Sequence, residues 1–155
     1  MSNITGNKLY GVSISGVAEY CNGGTGAQLS SCFNVIGKDP FAGVQLTGVA
    51  NYATAITGTQ LSGVLNVAGR MNHGAQITGV ANVNGKTELS GTQISGVVNL
   101  QAGDLNGAQI SGVINTAKSV NGVQIGTINV AKKVKGVQIG VINVSDENDG
   151  LTIGL

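Results

Sequence analysis

The sequence has no tryptophan, a single proline, one histidine, two cysteines and a charged fraction of only 10%. Each shortage excludes something. Aromatic residues at 3% leave a transmembrane β-barrel without its interfacial girdles. Cys21 and Cys32 are too few for a disulfide framework, and they have neither metal-ligand spacing nor a companion histidine cluster. His73 stands in a connector beside no acidic residue, so a nucleophile, a base and an oriented partner are not assembled anywhere in the chain. The acidic run Asp146-Glu147-Asn148-Asp149 lacks the central glycine and distal glutamate of a calcium loop. No catalytic, cofactor-binding or metal-binding residue is therefore predicted, and the chain reads as a non-enzyme.

Net charge is +1, which supplies no basic field for nucleic acid or for an anionic membrane. No apolar run approaches the ~20 residues of a spanning helix, so membrane insertion is not expected. Met1-Ser2-Asn3-Ile4-Thr5 carries no charged-then-apolar signal segment, which points to the cytoplasm or to export without a conventional N-terminal signal.

What is abundant is glycine, 26 residues of 155, and it recurs in a pattern. From Gly43 the chain reads GVQLTGVANY, then GTQLSGVLNV from Gly58, GAQITGVANV from Gly74, GTQISGVVNL from Gly91 and GAQISGVINT from Gly107. Shortened copies follow, GVQIGTINV from Gly122 and GVQIGVINV from Gly136, and divergent ones precede, GVSISGVAEY from Gly11 and GAQLSSCFNV from Gly26. A last copy opens at Gly150 and stops inside the motif at Leu155. Successive starts lie 14–17 residues apart, with the variation confined to the connectors.

Mixed β-branched and small residues over nine positions read as strand, and two glycines per copy disfavour helix. The period is too short for a helix–strand repeat. A single-domain, all-β parallel β-solenoid of about nine coils is predicted, with residues 1–10 forming a partial coil and 11–155 the repeats, the last incomplete. The glycines are expected to supply positive-φ corners. Stacking of coils about 4.8 Å apart places like on like. The Ile/Leu column that follows Gln (Leu46, Leu61, Ile77, Ile94, Ile110) is expected to form an internal apolar ladder. Gln45, Gln60, Gln76, Gln93 and Gln109, with Asn51, Asn66, Asn82, Asn99 and Asn115, are expected to form amide ladders, each side chain donating to its neighbour one coil away. A second apolar column two residues before the repeat glycine (Leu9, Ile56, Leu89, Leu105, Val120, Val134) anchors the loop edge.

Of the charged residues only Glu19 falls inside a motif. The walls are thus uncharged, and uncharged walls are either buried or used for contact. In the GVxNV segment the Val column and the next column are both apolar. Either one ladder faces outward, or a bend turns both inward. The growing column Leu65, Val98, Ile114, Ile128 and Ile142 is the candidate contact face. Ser62, Thr78, Ser95 and Ser111 beside Gln are a candidate outward polar wall. The motif that stops at Leu155 leaves two readings of that end, an open edge that templates addition or a cap lying outside this sequence.

The copies GVQIGTINVAKKVK and GVQIGVINVSDEND resemble the short surface-repeat family of GVQIGxxNV type found in spirochaete and other bacterial proteins. The match covers most of the chain and is clearest from Gly91 onward, although the first seven copies carry an extra Ser or Thr before the second glycine. The resemblance implies repeats associated with a cell surface and no reaction. The functional expectation is a structural or interaction protein, a rigid rod that self-associates end to end or laterally as a filament subunit, spacer or adhesin. The alternative is a ligand-binding wall of Gln, Ser and Thr that meets carbohydrate or another surface.

Overall fold

The protein is a parallel β-solenoid whose computed structural model describes residues 1–155 and contains strands but no helix. Each coil contributes one strand to each of two sheets, and one coil adds the two-residue strand Asp104–Leu105 to the second. The first sheet, called here the Gln sheet, has ten strands in simple sequential order, among them Phe41–Thr47, Ile56–Ser62, Met71–Thr78 and Ser90–Ser95. The second, the Asn sheet, has eleven and includes Ala50–Ala53, Leu65–Ala68, Ala81–Asn84 and Val98–Gln101. Asn3–Ile4 pairs with the Asn sheet at Glu19 and Tyr20, and the motif opening at Gly150 still completes a tenth Gln-sheet strand, Leu151–Gly154. Ten coils at about 4.8 Å each make a rod about 48 Å long.

Register is in phase along the whole rod. Gln60 pairs with Gln76, Gln76 with Gln93 and Gln93 with Gln109, while Asn66, Asn82 and Asn99 align across the opposite sheet. One irregularity interrupts it, a bulge between Met71 and Gly74.

The interior has three zones. At the loop edge lies an aliphatic row, with Ile56, Leu89, Leu105, Val120 and Val134 almost completely buried. Phe41 and Met71 extend that row. Phe41 obeys the two-before-glycine spacing and was legible by that rule, whereas the bulge shifts Met71 out of it. In the centre lie the amides: Gln45, Gln60, Gln76, Gln93 and Gln109 and their Asn counterparts are 0% exposed. Under the opposite edge, where each chain turns from the Gln sheet to the Asn sheet, lie Thr47, Ser62, Thr78, Ser95 and Ser111, all buried.

This arrangement reverses two expectations. The Ile/Leu column does not form an internal ladder: Leu46, Leu61, Ile94 and Ile110 lie on the outer face, Leu61 being 38% exposed. Ser62, Thr78, Ser95 and Ser111 do not form an outward wall. Both follow from one fact of strand geometry, that neighbours point to opposite faces. Once Gln faces in, the residue after it must face out and the next one in.

The glycines differ from expectation too. Gly43, Gly58 and Gly74, within the Gln-sheet strands, have φ of +149, +135 and +142 degrees. The second glycines at the turn, such as Gly63 and Gly79, are not in the positive-φ region. They are needed for space: a Cβ on Gly63 would overlap the carbonyl oxygen of Gly48 one coil below.

Candidate functional site: an apolar outer surface

The outer surface is set by what the amides do inside. Asn66 reaches from the Asn sheet across the gap, and its Nδ2 donates to the Gln60 carbonyl (3.1 Å), the Ile77 carbonyl (2.8 Å) and Asn82 Oδ1 (3.0 Å). Gln60 reaches the other way, its Nε2 donating to the Val67 carbonyl (3.1 Å) and to Gln45 Oε1 (2.8 Å). Each sheet therefore satisfies backbone carbonyls of the other, and each coil is tied to the next. The pattern recurs at Asn82, at Asn99 and at Gln76. Buried amides so fully bonded cost little, while an unbonded one costs about 1–3 kcal/mol. That is why amides fill the centre of the interior and the Ile/Leu column beside them lines the outside.

Three apolar surfaces adjoin one another as a result. The outer face of the Gln sheet carries the Ile/Leu column beside Val44, Thr59, Ala75, Thr92 and Ala108. The turn between sheets presents Val64, Val80, Val97 and Val113, with Val64 45% exposed. The outer face of the Asn sheet carries the expected contact column. Leu65, Val98, Ile114 and Ile128 are half-buried there and Ile142 is exposed. The chain does bend between the Val column and this one, but the bend turns both outward rather than inward. Tyr52 and Leu100 flank the same face and are exposed.

Apart from the buried Glu19, charged side chains gather on the fourth side, the loop edge, where the last three Asn-sheet strands carry Lys118, Lys132, Lys133, Asp146 and Glu147. Lys8 pairs with Asp39 at 3.5 Å, Lys118 with Asp104 at 3.9 Å, and Lys133 with Glu147 and Asp149. Lys133 and Glu147 are register neighbours one coil apart. The Glu147 carboxylate, by its hydrogen bond and then its charge, holds the Lys133 ammonium above the ordinary lysine range. The coil geometry also brings His73 and Glu88 onto one shallow recess with Asn72, Thr87 and Ser90, a neighbourhood hidden in sequence because the residues lie in successive connectors. Cys21 is a buried free thiol, pushed up from its usual pKa chiefly by burial, and Cys32 is a second free cysteine. No group of three or more His, Cys, Asp or Glu converges.

Compared with models of known protein families, with curated proteins and with solved structures, the chain matches none.

Proposed function

We propose that this protein is a structural rod whose work is contact, and that it pairs face to face with a second copy through the outer face of its Gln sheet. The observation that carries the reading is the unbroken Ile/Leu column on that face, from Leu46 and Leu61 through Ile94 and Ile110 to Ile125 and Ile153, exposed along the rod without a charge beside it. Burying such a column from water is favourable by roughly 25 cal/mol per Å².

Size and charge together favour this wall. The ten Gln-sheet strands hold 57 residues, which at about 3.3 Å per residue and 4.8 Å between strands give a footprint of about 900 Å². A stable protein interface needs about 800 Å² per partner. The eleven Asn-sheet strands hold 49 residues and give about 780 Å² by the same arithmetic, and the last three of them carry Lys118, Lys132, Lys133, Asp146 and Glu147. Sheets stacked face to face about 10 Å apart interdigitate side chains such as these. Placement of the rod at a cell surface, as the repeat resemblance implies, belongs to the same proposal.

Sedimentation velocity across a concentration series tests it. The expected result is a dimer that dissociates on dilution, and a monomer for Leu61→Glu/Ile94→Glu with unchanged circular dichroism. A wild-type chain monomeric at every concentration, or a double variant that still dimerises, overturns the reading.

A further inference from the structure

We propose that the turn edge, together with the outer face of the Asn sheet beside it, lies against a lipid bilayer at the boundary between headgroups and acyl chains. The inference goes beyond the pairing of Gln-sheet faces and uses surfaces that such pairing leaves free.

Three observations carry it. The first is the chemistry of the edge. Most coils present Gly followed by Val, with Val64, Val80, Val97, Val113 and Val141 all exposed and Val141 60% so, while Cys32 and Thr127 hold the position in two others. The second is the state of the backbone. Lipid tolerates β structure only where the peptide groups facing it are already hydrogen-bonded. Along this edge they are bonded coil to coil. Gly63 N–H donates to the Gly48 carbonyl, Gly79 to Gly63, Gly96 to Gly79 and Gly112 to Gly96, at 3.0–3.2 Å. The Val carbonyls are used as well: Leu65 N–H donates to Val49, Ala81 to Val64, Val98 to Val80 and Ile114 to Val97. The third is the segregation of charge onto the opposite edge, where its ion pairs lie in water.

The shape favours lipid over a protein partner. A second rod covers a flat wall, but the turn is a convex ridge between two apolar walls, and fluid acyl chains conform to a ridge. Phe33 and Tyr52 are exposed on the adjoining face, where aromatic rings suit an interface. The rod lies on the membrane and does not cross it, as an interfacial amphipathic element does. Lys8, Lys118 and Lys133 are paired with carboxylates on the loop edge and net charge is only +1, so the attraction is apolar and independent of anionic lipid.

The test is flotation of the full chain with phosphatidylcholine vesicles in 0.1 and 1 M NaCl, roughly spanning Debye lengths of 10 to 3 Å. Co-flotation at both salt concentrations is expected. Val64→Glu/Val80→Glu/Val97→Glu should lose at least tenfold in the bound fraction, whereas Leu61→Glu/Ile94→Glu, which breaks the pairing of Gln-sheet faces, should float like the parent. Failure of one proposal is thus separable from failure of the other. Because the chain contains no tryptophan, Val80→Trp and Lys86→Trp give clean single reporters that work even if the triple variant folds poorly. Brominated acyl chains should quench the first and spare the second. Absence of flotation, binding only to anionic vesicles with loss in high salt, or equal quenching of the two reporters would each overturn the proposal.

Discussion

At the scale of single residues, the ends of the amide rows are the informative places. Each Asn from Asn34 on donates to the Asn of the following coil, so Asn34 itself needs a donor from the coil before it. The residue in register there is Glu19, buried and carrying a carboxyl group where every other coil has an amide, and Asn34 Oδ1 has no partner. Glu19→Gln places an N–H₂ donor at that position. One recovered hydrogen bond is worth about 1 kcal/mol net, which for a chain of this size corresponds to about 2–4 °C in Tm. A thermal melt of Glu19→Gln is expected to show that rise. An unchanged or lower midpoint means that the missing donor is not what limits the first coil. The glycines of the turn act at the same scale: Gly79 and Gly96 are fixed by the carbonyl oxygen of the coil below, a constraint of neighbouring coils that no local turn rule contains.

At the scale of the strand, the Gln-x motif strands have exchanged the ordinary chemistry of inside and outside, while the loop-edge row stays apolar. A period of two was legible in the sequence, but its phase was not. The alternation in Gly-Thr-Gln-Ile-Ser is equally regular with Ile inside or with Gln inside. Hydrophobicity favours the first phase and the structure adopts the second, because Gln and Asn on facing strands satisfy each other's backbone carbonyls across the gap. Asn rows donate toward the C-terminal coil and Gln rows toward the N-terminal coil, so the two lines of amide dipoles oppose one another. The exchange predicts an inverted mutational profile. Gln93 donates to Gln76 Oε1 and accepts from Gln109 Nε2, both at 2.7 Å. Gln93→Leu leaves both neighbours short of a partner and should cost about 3 kcal/mol. Ile94→Ala removes an outward side chain and should cost about 1 kcal/mol or less. Urea unfolding of the two variants compares them directly. A larger loss for Ile94→Ala than for Gln93→Leu would return the apolar column to the core.

At the scale of the molecule, every coil carries one member of each row, so coils are interchangeable units. Removing residues 91–106 joins Ser90 to Gly107 and leaves Gln109 to stack on Gln76, with Asn115 facing Asn82. The shortened chain is expected to keep its strand spectrum and to unfold at lower urea with a smaller m value, since m scales with the surface exposed. An unfolded product would show that the coils are not equivalent. The amphipathic character also belongs to this scale. No single strand reveals it, yet the stack gathers the charges to one edge and leaves two walls and a ridge apolar.

The repeat, its 14–17-residue spacing, the coils and the in-phase rows of Gln, Asn and aliphatic residues were determined by the sequence itself, because a recurring motif can stack only on its own copies. The buried loop-edge row was legible for the same reason at Ile56, Leu89 and Leu105. The tertiary structure alone decided which face of each strand is the inside, and hence that Leu61 and Ile94 are surface while Ser62 and Ser95 are core. It also decided that His73 and Glu88 line one recess. Pattern along one strand fixes alternation, whereas the choice of face depends on hydrogen bonds between two sheets and between successive coils, and those partners are 6–17 residues apart in the chain.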